Sequence, residues 1–203
     1  MRKYQAQNYV YIIASILTVI GAAVGITGLL VPYWIEREGF VGIVKVKADI
    51  GIWQDRVCRG DREGCDTVWH SDSDDSDRLQ GFKVPKEGQI QAFETTGCCL
   101  GLLAILMLVP LWATHLMGSK SSIRYGVYSS YFTIVMLAGF FCEIGVMVLA
   151  SEIETKDSGW APFMCGIGGA LFLMAGCFSC VICRYDPTYG TLGNPVSPAF
   201  STA

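Results

Sequence analysis

The sequence predicts a mainly α membrane protein, a four-helix transmembrane bundle that carries a small β-structure in a long polar loop. Only 16% of the 203 residues are charged, whereas soluble domains average about 25%. Four long runs are almost free of charge, and a run of about 20 apolar residues crosses a bilayer. The polar region after the first run holds Trp53 and two nearby cysteines, a pattern typical of a small disulfide-stapled β-structure.

The first predicted span covers residues 9–31, which contain no charged side chain. Arg2 and Lys3 precede it, so a cleaved signal peptide is the alternative. The apolar core of a signal peptide is only about 7–15 residues long, and three further spans follow here. We therefore expect this segment to remain as a membrane helix.

The other spans are predicted at residues 92–117, 125–150 and 163–183, within one domain covering residues 1–203. Pro110 lies late in the second span and predicts a kink there, because proline removes a backbone hydrogen bond. Pro162 suits the first turn of the fourth helix, and Trp160 suits the membrane interface.

Basic residues in the short flanks predict the orientation of the chain. They precede the first span, lie between the second and third spans, and follow the fourth: Arg2, Lys3, Lys120, Arg124 and Arg184. Lys and Arg in short loops stay in the cytoplasm. We therefore expect a multi-pass protein of the plasma membrane with both termini in the cytoplasm, a cytoplasmic tail at 184–203, and extracellular loops at 32–91 and 151–162.

The first extracellular loop is predicted to contain strands and a disulfide. β-branched residues are frequent from Gly39 to Val46, from Ile50 to Cys58 and from Cys65 to Trp69. Because the extracellular side is oxidising, Cys58 and Cys65 are expected to pair, which the chain-entropy model values at ~2–3 kcal/mol. The other cysteines lie in or beside apolar sequence and are expected to be free thiols.

Small residues recur four positions apart in three spans, as Gly21 with Gly25, Gly97 with Gly101, and Gly166 with Ala170. Such pairs let helix backbones approach closely in a membrane. We expect them to pack within one bundle, with dimer formation as the alternative.

Glu143 is the single charge in the third span, about 10 Å from its outer end. A carboxylate at that depth is costly and usually faces a partner. Thr27, Thr95 or Thr96 is expected to donate a hydrogen bond to it, and an ion or partner site is the alternative.

Four spans, a long first loop and a Trp…Gly-Leu-Trp…Cys…Cys signature are features of the claudin superfamily, which includes peripheral-myelin and epithelial-membrane proteins and stargazin-like auxiliary channel subunits. The sequence resembles that superfamily at six positions: Trp34, Gly51, Ile52, Trp53, Cys58 and Cys65. Ile52 stands where the family has Leu, and Trp53 is farther from the first cysteine than in vertebrate claudins. The chain is thus similar to a divergent member.

The resemblance implies an antiparallel sheet that stands on the bundle, with Trp34 and Trp53 packed where the sheet meets the bilayer. It also implies a function in cell–cell adhesion, or in a paracellular barrier or channel at cell junctions. Copies of the chain would then associate on one cell and across two cells. The alternative is an auxiliary subunit that regulates the gating or trafficking of an ion channel.

The resemblance also implies candidate site residues. In channel-forming claudins a charge on the strand after the second cysteine helps set ion preference, so Asp66 would favour cations, with Asp55 adding to the field. An ordinary exposed carboxylate is the alternative. Cys180 and Cys183 are predicted palmitoylation sites beside the cytoplasmic face. Cys177, Cys180 and Cys183 have the C-x-x-C-x-x-C spacing of metal and cluster sites, but their position within the predicted span, with no further His or Cys ligand nearby, argues against a metal site.

The remaining motifs predict less. Arg59-Gly60-Asp61 spells an integrin-binding tripeptide that is common by chance, and the acidic run at 71–77 lacks the glycine and closing Glu of a calcium loop. The C-terminal tail is expected to be disordered. No nucleophile, phosphate loop or metal set emerges, so we predict no catalysis, cofactor or metal. The net charge of −3 provides no basic footprint for nucleic acid.

Overall fold

The computed structural model describes residues 2–41, 44–59, 64–69, 86–117, 121–153 and 157–185. Four long helices and one four-stranded antiparallel sheet follow one another along the chain, which confirms the predicted fold class. They are α1 (Arg2–Leu30), β1 (Ile35–Val41), β2 (Val44–Ile50), β3 (Gln54–Arg59), β4 (Cys65–Trp69), α2 (Glu87–Leu116), α3 (Ser121–Ala150) and α4 (Ala161–Tyr185).

Each helix contains a segment long and apolar enough to cross a bilayer, as expected for a multi-pass membrane protein. These segments are Asn8–Leu30, Glu87–Leu116, Ile123–Ala150 and Ala161–Cys180. The second helix begins at Glu87, before the predicted residue 92, because its first turns serve the sheet as well as the membrane. Ile90 in those turns is fully buried, whereas Gln89 is exposed.

The helices approach one another closely at glycines. A Cβ on Gly21 of α1 would lie 3.1 Å from the carbonyl oxygen of Gly168 on α4, and one on Gly97 of α2 would lie 2.5 Å from Cys142 Sγ on α3. The predicted packing is confirmed for these parts of the bundle. It is wrong for the pair Gly166 and Ala170: Ala170 is exposed, and an added Cβ on Gly166 would make only ordinary contacts, because Gly168 and Gly169 form the inner face of α4.

The sheet is an antiparallel meander with strand order β1-β2-β3-β4. Val41 pairs with Val44, so the β-prone run from Gly39 to Val46 belongs to two antiparallel strands and not to one. Alternation along the strands produces two different faces. One face carries Ile35, Ala48 and Ile50, which are buried against the ends of the helices. Most charged residues of β1 and β2 lie on the opposite face, whereas Asp55 of β3 and Asp66 of β4 share the face of Ile50.

The core has two layers. The sheet-side layer joins Trp34, Ile50 and Ile52 to residues of all four helices, including Leu149 and Cys165. The layer farther from the sheet is built from aromatic and small side chains of the helices. There the hydroxyl groups of Tyr131 and Thr18 are hydrogen-bonded at 2.7 Å, which ties α3 to α1. The sheet is thus mounted on a packed bundle.

Candidate functional site

Trp34 joins the sheet to two parts of the bundle. Its side chain is fully buried, and its indole Nε1 donates to the carbonyl oxygen of Gly28 in α1 at 3.0 Å. Its backbone N–H donates to Ile50 O, and its carbonyl accepts from Gly159 N just before α4. This structural role agrees with the packing that the resemblance implies for Trp34.

The turn Gly51-Ile52-Trp53 lies between the sheet and α2. Ile52 is fully buried, and its carbonyl oxygen accepts a hydrogen bond from Gln91 Nε2 of α2. An added Cβ on Gly51 would collide with the backbone of Pro32, so only glycine fits there. Trp53 is half-buried and packs against the sheet-side core. These signature residues therefore fix the position of the sheet on the ends of the helices.

The predicted disulfide between Cys58 and Cys65 is confirmed. The two residues face each other across β3 and β4, with an S–S distance of 2.04 Å. The bridge fixes the register of the last two strands. Residues 60–63, between these strands, lie outside the described residues, as do Gly60 and Asp61 of the integrin-type tripeptide.

The second loop is attached to the first by contacts that the sequence did not indicate. The rings of Tyr33 and Trp160 stack with centroids 5.4 Å apart, and Ile35 of β1 forms a β-bridge with Ser158. Lys86 Nζ lies 2.6 Å from Glu152 Oε1 and so links the start of α2 to the end of α3. No spacing rule in the sequence connects residues so far apart.

The two predicted selectivity residues lie on the same face of the sheet. Asp55 pairs with Val68, and Asp66 pairs with Val57, so the two carboxylates are diagonal neighbours on adjacent strands. Asp66 is exposed. Asp55 Oδ1 accepts from Gly51 N at 3.2 Å, so this carboxylate also holds the turn before β3. Arg56 belongs to the opposite face, where it donates to Tyr33 OH at 2.7 Å. The effect of the two carboxylates on ions stays a prediction.

The opposite face of the sheet holds an ion cluster around Asp49. Lys47 Nζ lies 3.4 Å from Glu36 Oε2 and 3.6 Å from Asp49 Oδ1. Asp49 is only 4% exposed, and burial raises the pKa of its carboxyl group despite the nearby lysine. The negative charge of Asp49 in turn raises the pKa of Lys47. The cluster couples β1 to β2.

Glu94, a residue that sequence analysis passed over, is the most buried carboxylate among the described residues of the helices. It is fully buried, and neither of its carboxyl oxygens has a hydrogen-bond partner at ordinary distance, although the Cys165 thiol lies close enough to interact with it. It lies against Gly145 of α3, while the neighbouring Cys165 thiol donates to Gly25 O at 3.7 Å. The earlier start of α2 explains the omission, since Glu94 lies two turns inside the helix. The spacing Ile90, Glu94, Gly97 could have placed it on the inner face.

Glu143 is only half-buried, and two of its predicted partners bond elsewhere or not at all. Thr27 Oγ1 donates to Ala23 O in its own helix at 2.8 Å. Thr95 Oγ1 is buried without a hydrogen-bond partner. The predicted hydrogen bonds from Thr27 and Thr95 to Glu143 are therefore wrong. For Thr27 the reason is that a helical threonine can donate to a carbonyl of the preceding turn.

The remaining predicted sites lie only partly within the described residues. Cys180 is exposed near the end of α4, and Cys183 lies in the last turns of that helix, so palmitoylation of both stays a prediction. The acidic run at 71–77 and the tail from residue 186 lie outside the described residues. Within the described ranges no three His, Cys, Asp or Glu side chains form a group that could hold a metal ion.

A scan against protein-family models finds no matching family, and a search of curated proteins finds no matching sequence. The resemblance to the claudin superfamily therefore stays a prediction from the signature residues of the sequence.

Proposed function

We propose that this chain is a claudin-like membrane protein that mediates cell–cell adhesion, or forms a paracellular barrier or channel, at cell junctions. The observation that carries the proposal is the fixed attachment of the sheet to the bundle through Trp34 and Ile52, in a sheet whose last two strands are joined by the Cys58–Cys65 bridge. A sheet held in this way presents a preorganised surface, which lowers the entropic cost of association.

The edge of the sheet at β4 supports association between copies. β1 is bridged at Ile35 by the second loop, whereas no described residue pairs with the outer edge of β4. Asp66 and Thr67 on that strand are exposed, and Trp69 is 49% exposed. An open strand edge can extend by pairing with a strand of another chain. The proposed partner is the same edge of a second copy.

The proposal is tested by expressing the tagged chain in non-adherent cells and imaging the contacts between them. Enrichment is expected at contacts between two expressing cells and not where an expressing cell meets a non-expressing one. Trp69→Ser should reduce this enrichment, while Trp69→Phe should retain it. Uniform surface staining would contradict adhesion. An ion channel that co-purifies in mild detergent, together with uniform staining, would favour the auxiliary-subunit function.

A further inference from the structure

Glu143 is an intramembrane carboxylate that the bundle leaves unpaired. Its Oε1 lies over Gly169, where an added Cβ would be 2.9 Å away, so it sits at the seam of α3 and α4. No described residue donates a hydrogen bond to it or forms an ion pair with it. Ala150 ends α3 seven residues later, about 10 Å along the helix axis. A partly exposed charge at this depth is costly without a partner and is commonly found where one binds.

The surface beside Glu143 has the shape that a neighbouring helix needs. Ala170 is exposed, and Gly166 is half-exposed, with its nearest neighbour Val146 only at ordinary contact distance from an added Cβ. The two residues are one helical turn apart, next to the residue that Glu143 covers. Among the described residues, no helix of the bundle packs closely on Gly166 and Ala170. These two small residues beside Glu143 form what we call the α3–α4 groove, where another helix backbone can come close.

Exposed apolar side chains border this groove on α3. Phe140 is 51% exposed and Met147 is 65% exposed, and they lie about one turn on either side of Glu143. The groove therefore combines apolar rims, a floor of small residues and one carboxylate. The carboxylate determines which kind of helix fits, because an apolar helix would leave it unpaired.

We propose that the α3–α4 groove docks a transmembrane helix of a different membrane protein that carries a lysine or arginine in the sheet-side third of its span. Charge complementarity selects this occupant. The predicted spans of the chain itself contain only two charged residues, Glu94 and Glu143, and Arg124 lies at the end of α3 away from the sheet. A second copy would thus bring one carboxylate to another. A basic side chain supplies both the charge and the hydrogen-bond donors that the carboxylate lacks.

The test uses the full chain, labelled with a fluorescent donor and reconstituted in phosphatidylcholine vesicles. The probes are two acceptor-labelled polyleucine transmembrane peptides. They differ at one position, about 10 Å from one end of the apolar span, which is lysine in one peptide and leucine in the other. Energy transfer should show about tenfold tighter association with the lysine peptide, the size expected for one intramembrane polar contact. Equal association of the two peptides would overturn the proposal without depending on any variant of the chain.

Matched variants locate the contact. Glu143→Ala should abolish the preference for lysine, and Ala170→Leu should weaken binding of the lysine peptide by blocking close approach. Ala23→Leu makes the same change on the exposed side of α1 and should have no effect. An intact Cys58–Cys65 bridge and an unchanged melting temperature show that each variant is folded. A lysine preference that survives Glu143→Ala would refute the proposal. Energy transfer between two copies of the chain that Ala170→Leu abolishes would assign the groove to self-association and also refute it.

Discussion

Glu94 of α2 fills the space beside Gly145 of α3, so that a Cβ on Gly145 would lie 2.5 Å from Glu94 Oε1. The close approach is made by a glycine because a buried glutamate needs the volume that a methyl group would occupy. The pair therefore fixes the distance between α2 and α3 directly beneath the sheet.

Gly145→Ala is expected to destabilise the protein, because the added methyl group must displace the buried carboxyl group. Overpacking of this kind costs ~1–3 kcal/mol. Thermal unfolding of the purified protein in detergent measures the effect as a lower melting temperature. Gly126→Ala is the control, since it lies in the same helix and its added Cβ would touch nothing within 4 Å. That change should leave stability equal or slightly higher, as alanine favours helix. Equal losses for both variants would show that the contact at Gly145 does not matter.

Glu94→Met is expected to stabilise the protein. Methionine has a similar volume, and it removes two buried oxygens that have no hydrogen-bond partner at ordinary distance. The burial of one unsatisfied polar group costs ~1–3 kcal/mol, so the gain should be of that order. The melting temperature in detergent measures it, with Gln89→Met at the exposed start of α2 as the control. A large loss of stability would mean that the carboxyl group of Glu94 has a partner in the membrane.

Trp34→Phe is expected to loosen the sheet from α1. Phenylalanine keeps most of the buried ring but cannot donate to Gly28 O, and a carbonyl left unpaired by its lost donor costs ~1–3 kcal/mol. Protease cleavage of the first loop, timed by gel electrophoresis, should become faster. Trp69→Phe, at a half-exposed position, should leave the cleavage rate unchanged. An unchanged cleavage rate in Trp34→Phe would mean that the hydrogen bond does not help to hold the sheet on α1.

The Asp49 cluster is expected to make stability depend on pH. Burial raises the pKa of folded Asp49 above its ordinary value of 3.8, so the folded state holds this proton more tightly than the unfolded state. The resulting stabilisation is complete below pH 3.8 and is lost as pH rises through the folded pKa. The gain in stability from Asp49→Asn, relative to the natural protein, should therefore be largest at neutral pH. Melting temperatures of both proteins measured across this range provide the comparison, and a constant difference at all pH values would contradict it.

The helices and the disulfide could be predicted from the sequence because each depends on local signals. A run of about 20 predominantly apolar residues predicts a span, and Cys58 and Cys65 are close along the chain in a segment expected outside the cell. The position of the sheet on the bundle could not be predicted. It depends on contacts that form only through tertiary packing, such as Tyr33 with Trp160 and Lys86 with Glu152. The importance of Glu94 was missed for a related reason: its burial depends on where α2 begins, and helix ends are weakly specified by sequence.

Asp66→Asn is expected to reduce the preference for cations if the chain lines a paracellular path, because it removes one negative charge from an exposed position on β4. Dilution potentials across epithelial layers that express the chain measure the ratio of sodium to chloride permeability, and the ratio should fall. Glu36→Gln removes one charge from the opposite face of the sheet, where Lys47 already pairs with it, and should change the ratio less. Asp55 on the same face as Asp66 retains part of the field, so the double change Asp55→Asn with Asp66→Asn should lower the ratio further. If the ratio stayed the same in all three variants, the carboxylates would be ordinary surface groups.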